Sequence, residues 1–440
     1  MRPAEKNKPL KGDNIVIQNG KLITPDNPII PRIIGDGIGQ DIWRAAKPVL
    51  DKAVLLAYEN HRQLHWFEVT AGQKALDTHG SLLPSETIDS FQACRVGLKG
   101  PLSTPIGGGF QSINVTLRRE LDLYVCMRPI VWIPGSPSPV RYPDRVNMII
   151  FRENTEDIYA GIEFNNNSQS NREFLAWFKS NYPEEFAKIR FPNSSGISIK
   201  PISREGSQRL VRAAVRYALK HNRKRITLVH KGNIMKFTEG AFANWGYDLV
   251  EHEFAAQVFT HRQWQEAKKI DGENIANLLL TQALNDGKLF INDMITDAAF
   301  EQTLTRPEEF DIIATTNLNG DYLSDALAAQ VGGLGIAPGV NLNEEDNIAI
   351  FEATHGTAPT LAGKNIANPC SLTLSGAMLL DHIGWEEAAD LVRNGIRKTL
   401  AERIVTQDFY HLMADGIMVA TTEFGDAIIR NMQNTINALG

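Results

Sequence analysis

The sequence contains few cysteines, and the three that it has lie far apart. Cys94, Cys126 and Cys370 form no Cys-x-x-Cys pair within the 440 residues. A disulfide framework or a zinc site needs several cysteines at short spacings. We therefore expect neither kind of site, and predict three buried free thiols in a reducing compartment.

The sequence also lacks an excess of positive charge and long hydrophobic runs. Its formal net charge is -6, so it has no bulk attraction for nucleic acid or for an anionic membrane. No run approaches the length of about eighteen apolar residues that a membrane span requires. The N-terminal residues resemble neither a secretory signal nor a transit peptide. We expect a cytoplasmic protein with no nucleic-acid and no membrane partner.

What the sequence does have is the composition of a globular protein. Hydrophobic residues make up 43% and charged residues 22% of the chain, and 440 residues predict two or three domains or lobes. Short apolar segments alternate with helical patterns such as residues 207–220 and 322–329, which predicts α/β architecture. Strands are predicted at residues 29–34, 95–99, 121–125, 147–151, 226–230, 290–294 and 312–315.

The first of these strands leads into a glycine-rich turn. Gly35, Gly37 and Gly39 follow it, and an amphipathic helix is predicted from Asp41 onward. Such a turn can present backbone N–H groups to an anion or a cofactor. The spacing does not match the dinucleotide-binding fingerprint, and similar turns occur in many α/β proteins without a ligand.

Two later segments depart from this alternation. Residues 165–195 are polar and irregular, and we interpret them as an excursion from the main body that could act as an interaction arm. Residues 259–287 look helical and highly charged, with no site signature. No internal repeat or low-complexity tract is evident.

A set of arginines follows a second glycine-rich segment. Ser112 is predicted to open a helix, where unpaired N–H groups and the helix dipole favour an anion. Asn114 and Arg118 are four residues apart and share a helix face, and Arg128 and Arg152 follow on the next segments. One such arginine is usually a surface ion-pair partner, but the set predicts a pocket for a multiply charged carboxylate.

Two residues could transfer protons. Tyr159 lies close to Arg152 in the segment FRENTEDIYAG, and a tyrosine near a cation or metal can act as an acid. Lys231 follows an apolar strand, and a lysine near a metal or other cations can act as a base. Taken singly, a packed tyrosine and a solvated lysine remain the ordinary interpretations.

Acidic residues form a candidate metal site. Asp321 and Asp325 are four residues apart at a predicted helix start, so both carboxylates face one way. Mg²⁺ or Mn²⁺ would relieve their repulsion, with Asp293 as a candidate third ligand. The alternative is a pair of acids favoured by the helix dipole. Residues 355–357 form a turn that is expected to approach a ligand closely.

Five blocks in this order resemble one protein family. The segments KGPLSTPIGGGFQSIN, FRENTEDIYAGIE, HKGNIMKFTEGAF, NLNGDYLSDALAAQVGG and FEATHGTAP are long and jointly specific. They resemble the isocitrate/isopropylmalate dehydrogenase family, and within it the homodimeric bacterial-type isocitrate dehydrogenases, over residues 29–432. The resemblance implies a metal-dependent enzyme that oxidatively decarboxylates isocitrate to 2-oxoglutarate and CO₂ in the tricarboxylic acid cycle.

The resemblance also implies roles for individual residues. The catalytic acid and base match Tyr159 and Lys231. The substrate-binding positions match Ser112, Asn114, Arg118, Arg128 and Arg152. The metal-binding positions match Asp293, Asp321 and Asp325. The cofactor-binding positions match Ile38, Ser103, Thr104, Glu352, His355, Gly356, Thr357, Ala358, Thr360, Leu361, Asn368, Gln407 and His411.

The implied fold is α/β but not a Rossmann fold. Residues 1–123 and 334–440 would form a large α/β domain, and residues 124–156 and 204–333 a small α/β domain. Residues 157–203 would form a clasp that locks two subunits together. Lys231 and Asp293 would reach into the partner's site, so each active site would need the homodimer.

The implied reaction starts with polarisation of the isocitrate hydroxyl by the metal. Lys231 takes the hydroxyl proton, hydride passes to the nicotinamide, CO₂ is lost, and Tyr159 protonates C3. Ser112 and Asn114 suit a third carboxylate rather than an isopropyl group, which favours isocitrate over isopropylmalate. A sister activity on isopropylmalate, homoisocitrate or tartrate, and a non-catalytic regulatory subunit, are the alternatives.

The cofactor pocket departs from the family pattern. NADP-using members hold the 2′-phosphate with Lys, Tyr and Arg, whereas this sequence has Thr360, Leu361, Gln407 and His411. Two lost charge-assisted hydrogen bonds, at roughly 1.5–3 kcal/mol each, would weaken NADP binding about a hundredfold or more. We expect a preference for NAD. NADP, or both cofactors, is the alternative, because Thr360 does not repel phosphate and Lys364 is close in sequence.

The resemblance implies one regulatory partner. Ser112 matches a position that is phosphorylated in some relatives. A phosphate there would repel the substrate carboxylate and block its hydrogen bond. A kinase that acts on Ser112 is therefore a further candidate partner.

Overall fold

The structure, a computed structural model, describes residues 11–103 and 112–438. The predicted cofactor residue Thr104 lies outside these residues. Helices and strands alternate along most of the described chain, as α/β architecture requires.

The described residues form seventeen strands and sixteen α-helices. The strands are β1 (Val16–Gln18), β2 (Lys21–Ile23), β3 (Ile29–Ile33), β4 (His65–Glu68), β5 (Val96–Lys99), β6 (Val125–Val131), β7 (Asn147–Glu153), β8 (Glu163–Phe164), β9 (Ile197–Ser198), β10 (Arg225–His230), β11 (Val258–Thr260), β12 (Leu289–Ile295), β13 (Ile312–Thr315), β14 (Pro338–Asn343), β15 (Ile348–Ala353), β16 (Ile404–Val405) and β17 (Ile417–Met418). The helices are α1 (Gly39–Tyr58), α2 (Gln73–His79), α3 (Ser85–Cys94), α4 (Ile113–Glu120), α5 (Gln169–Asn181), α6 (Pro183–Phe186), α7 (Arg204–Lys220), α8 (Glu239–Glu253), α9 (His261–Asp271), α10 (Glu273–Asn285), α11 (Thr296–Thr305), α12 (Asn317–Gln330), α13 (Cys370–His382), α14 (Glu386–Ala401), α15 (Gln407–Tyr410) and α16 (Thr421–Asn437).

One mixed sheet of eleven strands dominates the described part of the chain. Its strand order is β11-β12-β10-β13-β7-β6-β14-β15-β5-β3-β4. β6 pairs antiparallel with β7 and β14, and β14 pairs antiparallel with β15, whereas the other neighbours are parallel. Antiparallel pairs in the middle of the sheet distinguish this fold from the parallel Rossmann arrangement, as predicted.

The sheet is buried because helices cover it. All six residues of β15 are buried, as are five of the six in β10. Strands that are apolar on both faces are typical of sheets with helices on each side. α13 packs on β5, β14 and β15, and α7 packs on β7, β10 and β13. α1, α14 and α16 pack against one another beside α13.

The strands of the two predicted domains occupy different parts of this sheet. β11, β12, β10, β13, β7 and β6 come from the predicted small domain, and β14, β15, β5, β3 and β4 from the predicted large domain. The two parts join where β6 pairs with β14. The division into two domains stays a prediction, because the strands form one continuous sheet.

Most predicted strands are present with small shifts at their ends. β13 matches its prediction, and β3 ends one residue earlier than predicted. The prediction of a strand at residues 121–125 is wrong for all but the last residue, since β6 begins at Val125. Leu121 and Leu123 are buried in the turn that follows α4, so their apolar spacing reflects core packing rather than a strand.

The helix that carries Asp321 and Asp325 begins earlier than predicted. α12 starts at Asn317, so the two aspartates lie in its second and third turns rather than at its start. Asn317 and Asn319 are poor helix formers, which hid this start in the sequence. They are accommodated because both side chains make hydrogen bonds to buried partners.

The segment predicted to be polar and irregular is more ordered than expected. Residues 165–195 contain α5 and α6, and β8 pairs antiparallel with β9 around them. The Phe174 ring stacks on Phe164 at 4.8 Å and on Phe178 at 5.9 Å. This small aromatic core stabilises helices in a polar stretch. The prediction for residues 259–287 is confirmed, since α9 and α10 fill most of them.

The structure bears on the predictions made from the few cysteines and from the lack of long hydrophobic runs. Cys94, Cys126 and Cys370 are all buried and none of the three forms a disulfide, as predicted. Among the helices of the described residues, none combines the length and the apolar character that crossing a membrane requires.

Candidate active site

The candidate site is centred on Arg152, which lies in β7 and is 1% exposed. Its Nε and Nη2 atoms donate to Asn317 Oδ1 at 2.9 and 2.7 Å, and Nη1 pairs with Asp321. Gly320 makes this possible, since a Cβ there would lie 2.6 Å from Arg152 Cγ. α12 can therefore pack directly against the arginine side chain.

Two further arginines lie beside Arg152. Arg128, in β6, donates from Nη1 to Ser324 Oγ at 2.6 Å and to Asp325 Oδ1 at 3.1 Å. Burial lowers the pKa of Arg152 most, and the charges of Arg118 and Arg128 lower it further. The three guanidinium groups are therefore close enough to act on one another, as the predicted carboxylate pocket requires.

Arg118 comes from α4 and contacts a buried carboxylate. Its Nη2 donates to Glu352 Oε1 at 2.9 Å, and Lys99 Nζ lies 2.9 Å from Glu352 Oε2. Burial would raise the pKa of Glu352, but Lys99 and Arg118 outweigh burial and hold that pKa well below its usual range. The structure thus places this predicted cofactor residue in an ion pair with two internal cations.

The arginine cluster has polar atoms without a partner among the described residues. Arg118 Nε, Arg128 Nε and Asn114 Oδ1 are buried and make no hydrogen bond there. Each buried unpaired polar group costs roughly 1–3 kcal/mol, and neighbouring like charges repel. An anion with several carboxylates would relieve both penalties.

The remaining predicted substrate residue is Ser112. It directly precedes α4, as predicted, and its side chain makes no capping hydrogen bond to that helix. Asn114 and Arg118 lie one turn apart on the same side of α4. α4 and the residue before it therefore supply three of the predicted substrate residues.

Tyr159 joins the same cluster. It lies in a short 3-10 turn, Asp157–Ala160, and its Oη donates to Asp321 Oδ2 at 2.6 Å. The Arg152 guanidinium lies 4.9 Å from the centre of the Tyr159 ring. Burial first, and then the hydrogen bond to Asp321, raise the pKa of Tyr159 to about 12, so this hydroxyl keeps its proton at neutral pH.

Asp321 and Asp325 face the arginines from one side of α12. Burial would raise the pKa of both. At Asp321 the charge of Arg152, together with the hydrogen bond from Tyr159 and the charge of Arg128, outweighs burial and lowers the pKa. At Asp325 the pKa is raised despite Arg128. The two side chains are 36% and 49% exposed. Two partly exposed carboxylates one helix turn apart suit a divalent cation.

The third predicted metal ligand is not brought to this pair. Asp293, in β12, accepts from Tyr247 Oη at 2.6 Å and lies 3.2 Å from His230 Nε2. These two hydrogen bonds lower its pKa, although burial opposes them. Within residues 11–103 and 112–438, no three His, Cys, Asp or Glu side chains are placed to hold a metal ion.

The predicted base also lies with Asp293 rather than with Tyr159. Lys231 follows the end of β10, as predicted, and its Nζ pairs with Asp297. Next to it a cavity of about 320 Å³ is lined by His230, Tyr247, Arg262 and Asp293, among others. The chain thus divides the predicted catalytic residues into two groups, one at α12 and one at β10 and β12.

A second cavity, of about 460 Å³, gathers most of the predicted cofactor residues. Eight of them line it: Ile38, His355, Gly356, Ala358, Leu361, Asn368, Gln407 and His411. Its other lining residues are Gly335, Ile366, Ala367 and Asp408, so none of its lining residues in the described structure is a lysine or arginine. His355 Nε2 is buried without a partner in the described residues, and burial lowers the pKa of His355. This partly apolar cavity suits a nicotinamide dinucleotide.

Two more predicted cofactor residues lie beside this cavity. Ser103 Oγ donates to Thr357 Oγ1 at 3.1 Å, and the Ile38 N–H donates to Thr357 O at 2.9 Å. Gly37 has a φ of 56°, and a side chain there would collide with Thr357 O. The glycine turn is therefore needed for this close approach. Thr360 is exposed and is not part of the cavity lining.

Three residues that hold the site together were missed in the sequence. Asn317 and Ser324 orient Arg152 and Arg128, and Lys99 pairs with Glu352. Asn317 and Ser324 lie four residues before and three after Asp321, so their helical spacing was a usable signal. Lys99 carried none, because its partner is more than two hundred residues away.

Comparison with known proteins identifies the family. The family model described as isocitrate/isopropylmalate dehydrogenase matches residues 29–428. The chain belongs to the isocitrate/isopropylmalate dehydrogenase family. Most of the length of this family member, including every predicted site residue, lies within the match.

Relatives of this dehydrogenase-family chain cover nearly its whole length. A protein of Staphylococcus aureus strain Mu50, named an NADP isocitrate dehydrogenase, is 54% identical over 412 residues, which is 94% of this chain and 97% of the relative. A Colwellia maris protein named NADP isocitrate dehydrogenase 1 is 50% identical over 96% of this chain and 98% of its own. The crystal structure of isocitrate dehydrogenase from Methylococcus capsulatus superposes with a TM-score of 0.72 and 34% identity, over 92% of this chain and 99% of that one.

Proposed function

We propose that this chain oxidatively decarboxylates isocitrate to 2-oxoglutarate and CO₂ with a nicotinamide dinucleotide. The observation that carries the proposal is the group of three buried arginines, Arg118, Arg128 and Arg152, opposite Asp321 and Asp325. Such a group suits a substrate that carries several carboxylates and binds a cation. The relatives named isocitrate dehydrogenases support the same substrate.

The chain's own side chains would bind and orient this substrate. The three arginines offer planar pairs of donors, the geometry that matches carboxylates. Ser112 and Asn114, at the start of α4, offer hydrogen bonds to a third carboxylate. An isopropyl group would leave these polar atoms unpaired at a cost of roughly 1–3 kcal/mol each, which disfavours isopropylmalate.

A cation and a dinucleotide would complete the site. Asp321 and Asp325 would hold a divalent cation, Mg²⁺ or Mn²⁺, which would polarise the substrate hydroxyl and the adjacent carboxylate when bound. The 460 Å³ cavity would hold the dinucleotide, whose nicotinamide would supply a hydride acceptor for C2 of isocitrate. The cation is proposed from the two carboxylates of Asp321 and Asp325, and the dinucleotide from the residues that line the cavity.

Proton transfers would fall to Lys231 and Tyr159. Lys231 would accept the proton of the substrate hydroxyl, and Tyr159 would donate the proton that C3 receives after CO₂ leaves. The raised pKa of Tyr159 suits a donor, because the hydroxyl is protonated before each turnover. Arg152, below the ring, would stabilise the phenolate that this donation leaves.

NADP is the better supported cofactor. The expected preference for NAD rested on the missing Lys, Tyr and Arg, and the relatives do not support it, because they are named for NADP. NAD remains the second candidate for one reason. The lining of the cavity in the described structure carries no lysine or arginine that could pair with a 2′-phosphate.

We also propose that two copies of the chain share their active sites. Lys231 and Asp293 lie apart from Asp321 and Asp325 in one chain, so a second copy would have to supply them. Residues 157–203 would act as the clasp between copies, with the large and small domains as predicted. Exposed apolar side chains in the clasp, such as Trp177 and Phe191, suit a surface that a second copy covers.

Two other candidates are less well supported. A regulatory subunit without activity would have no need of arginines, aspartates and Tyr159 that converge as they do here. A kinase acting on Ser112 stays a prediction, since its basis is the match of that residue to a position in relatives.

The decisive experiment is an assay of the purified chain. Reduction of NADP and of NAD would be followed by the absorbance of the reduced nicotinamide, with isocitrate and Mg²⁺ or Mn²⁺, and again after chelation of the metal. We expect metal-dependent reduction with isocitrate and little with isopropylmalate, homoisocitrate or tartrate. No reduction with isocitrate, or a faster reaction with another of these acids, would refute the proposed substrate.

A further inference from the structure

Glu239 is fully buried among the described residues, at 0% exposure, and none of the roles above uses it. Its Oε2 accepts from the backbone N–H of Lys231 at 2.9 Å and from Asn319 Nδ2 at 2.8 Å. Its Oε1 accepts from Thr316 Oγ1 at 2.9 Å. One carboxylate therefore ties the backbone of the proposed base to the beginning of α12.

Lys200 compensates the charge of this carboxylate. Its Nζ lies 2.7 Å from Glu239 Oε1 and 2.7 Å from Asp157 Oδ1. Burial would lower the pKa of Lys200, but the hydrogen bonds to Asp157 and Glu239 outweigh burial and raise it. Lys200 is thus charged and lies between two buried carboxylates. Its ion pairs compensate for the hydration that both carboxylates lose on burial.

Asp157 extends the connection to the proposed proton donor. Its Oδ1 accepts from the Ile158 N–H at 2.7 Å, and its Oδ2 accepts from the Leu318 N–H at 2.9 Å. Its φ of 69° lies in the left-handed region that residues with a side chain rarely adopt. Such a conformation persists where surrounding contacts hold it. The residue two positions later is Tyr159.

We propose that Glu239, Lys200 and Asp157 form a buried network that positions Lys231, Tyr159 and α12 relative to one another. Glu239 holds the backbone of Lys231, Asp157 holds the turn that carries Tyr159, and both hold the first turn of the helix with Asp321 and Asp325. The three are positioning residues, because they act through the groups they hold. The inference rests on the proposed function.

The network also gives the clasp region a role in the site. Lys200 belongs to residues 157–203, whereas Glu239 opens α8. Under the proposal that Lys231 acts in the partner's active site, the network fixes the position of Lys231 relative to Tyr159 of the same subunit. A displacement of about 1 Å in a reacting group can lower a rate by roughly 10²-fold, so this connection bears directly on turnover.

The test compares Glu239→Gln and Lys200→Gln with the unchanged enzyme. Glu239→Gln replaces one carboxylate oxygen by an amide nitrogen. This nitrogen cannot accept hydrogen bonds, so the donors that now bind that oxygen lose their acceptor. We expect kcat to fall at least about tenfold while KM for isocitrate changes by less than about threefold, because the arginines are untouched. With isocitrate deuterated at C2, the isotope effect on kcat should increase, since the chemical step becomes slower than product release.

Two further variants separate positioning from stability. Lys200→Arg keeps the cation and should recover most of the kcat that Lys200→Gln loses. Asp381→Asn breaks the ion pair with Arg393, at 2.6 Å on α13 and α14, and should lower the melting temperature without changing the isotope effect. Where Glu239→Gln does not fold, Thr316→Val removes one bond to Glu239 and should show the same changes at smaller size.

The outcomes are distinct. If the unchanged enzyme does not reduce NADP or NAD with isocitrate, the proposed function fails. If it does, and Glu239→Gln and Lys200→Gln (or Thr316→Val in place of an unfolded Glu239→Gln) keep both kcat and the isotope effect, the positioning role is wrong while the proposed function stands.

Discussion

The hydroxyl of Tyr159 donates a hydrogen bond to Asp321 Oδ2 at 2.6 Å. The other oxygen of Asp321 pairs with Arg152, whose guanidinium lies below the Tyr159 ring. The proposed proton donor, a proposed metal ligand and a proposed substrate residue are therefore in direct contact. The orientation of the phenol depends on the same carboxylate that would bind the cation, so loss of Asp321 should disturb proton transfer as well as metal binding.

Replacement of Tyr159 by Phe removes the hydroxyl and keeps the ring. The Tyr159 hydroxyl, with a pKa of about 12, is protonated throughout the ordinary assay range, as the proposed acid must be. We expect Tyr159→Phe to lower kcat by roughly 10²–10⁴-fold, the usual contribution of a general acid, with little change in KM. Steady-state kinetics measure both constants.

A tyrosine on the surface provides the control for this substitution. Tyr142 is 46% exposed and its ring lies beside Arg145. Tyr142→Phe should leave kcat unchanged. Activity in Tyr159→Phe close to that of the unchanged enzyme would remove Tyr159 from the proposed mechanism.

The ion pairs of Glu352 predict a loss of stability in acid. The folded pKa of this carboxyl is below its ordinary value of 4.5, because Lys99 and Arg118 outweigh burial. A group with a lowered folded pKa contributes its full stability above the unfolded pKa, and this contribution is lost as pH falls through the folded pKa. The melting temperature should therefore decrease as pH is lowered below 4.5.

Glu352→Gln isolates this contribution. The substitution leaves two buried cations without their carboxylate, so we expect the free energy of unfolding at neutral pH to fall by about 3–5 kcal/mol. The further loss of stability in acid should become smaller than in the unchanged protein. Denaturant unfolding at several pH values measures both effects, with Glu266→Gln, exposed on α9, as control. An unaltered acid dependence would show that Glu352 does not cause it.

Mixed dimers test whether the active sites are shared. Asp293→Asn and Asp321→Asn should each abolish activity alone. In a heterodimer of the two, one site receives both substitutions and the other receives neither, if Asp293 serves the partner. Equal mixing, which makes half of the dimers heterodimers, should then restore about a quarter of the normal activity.

The matched control combines Asp321→Asn with Asp325→Asn. Both residues lie on α12 of one chain, so every site of that heterodimer carries one defect and no activity should return. Recovery in this control, or none in the first mixture once heterodimers are verified, would contradict shared sites.

Cofactor choice should depend on charge at one end of the 460 Å³ cavity. His411 and Gln407 line it and lie 3.3 Å apart. His411→Arg adds a permanent cation, and one charge-assisted hydrogen bond to a phosphate is worth roughly 1.5–3 kcal/mol. The ratio of kcat/KM for NADP to that for NAD should rise by roughly 10- to 100-fold.

A neighbouring substitution controls for the added charge alone. Leu412 is 68% exposed and does not line the cavity, so Leu412→Arg should change the cofactor ratio little. The same ratio in His411→Arg as in the unchanged enzyme would mean that the 2′-phosphate binds elsewhere.

Local patterns were enough to indicate much of the fold. The apolar segment at residues 312–315 is a strand because its four side chains are all buried. Where a pattern failed, a distant partner was the reason. Leu121 and Leu123 pack in a turn, and the beginning of α12 was hidden because Asn317 is satisfied by Arg152, 165 residues earlier.

The sequence by itself determined which chemical groups the protein carries and which of them share a helix face. Asp321 and Asp325 face one way, as do Asn114 and Arg118, because helical geometry depends only on spacing along the chain. The sequence also predicted three buried thiols, because a disulfide framework or a zinc site needs several cysteines at short spacings.

Only the tertiary structure decided which groups meet. Arg118, Arg128 and Arg152 come from α4, β6 and β7 and converge because antiparallel strands and a helix pack there. Glu352 pairs with Lys99 and Arg118, and Asp293 lies with His230 instead of Asp321. Contacts between residues far apart in the chain depend on strand order and helix packing, which no local spacing encodes.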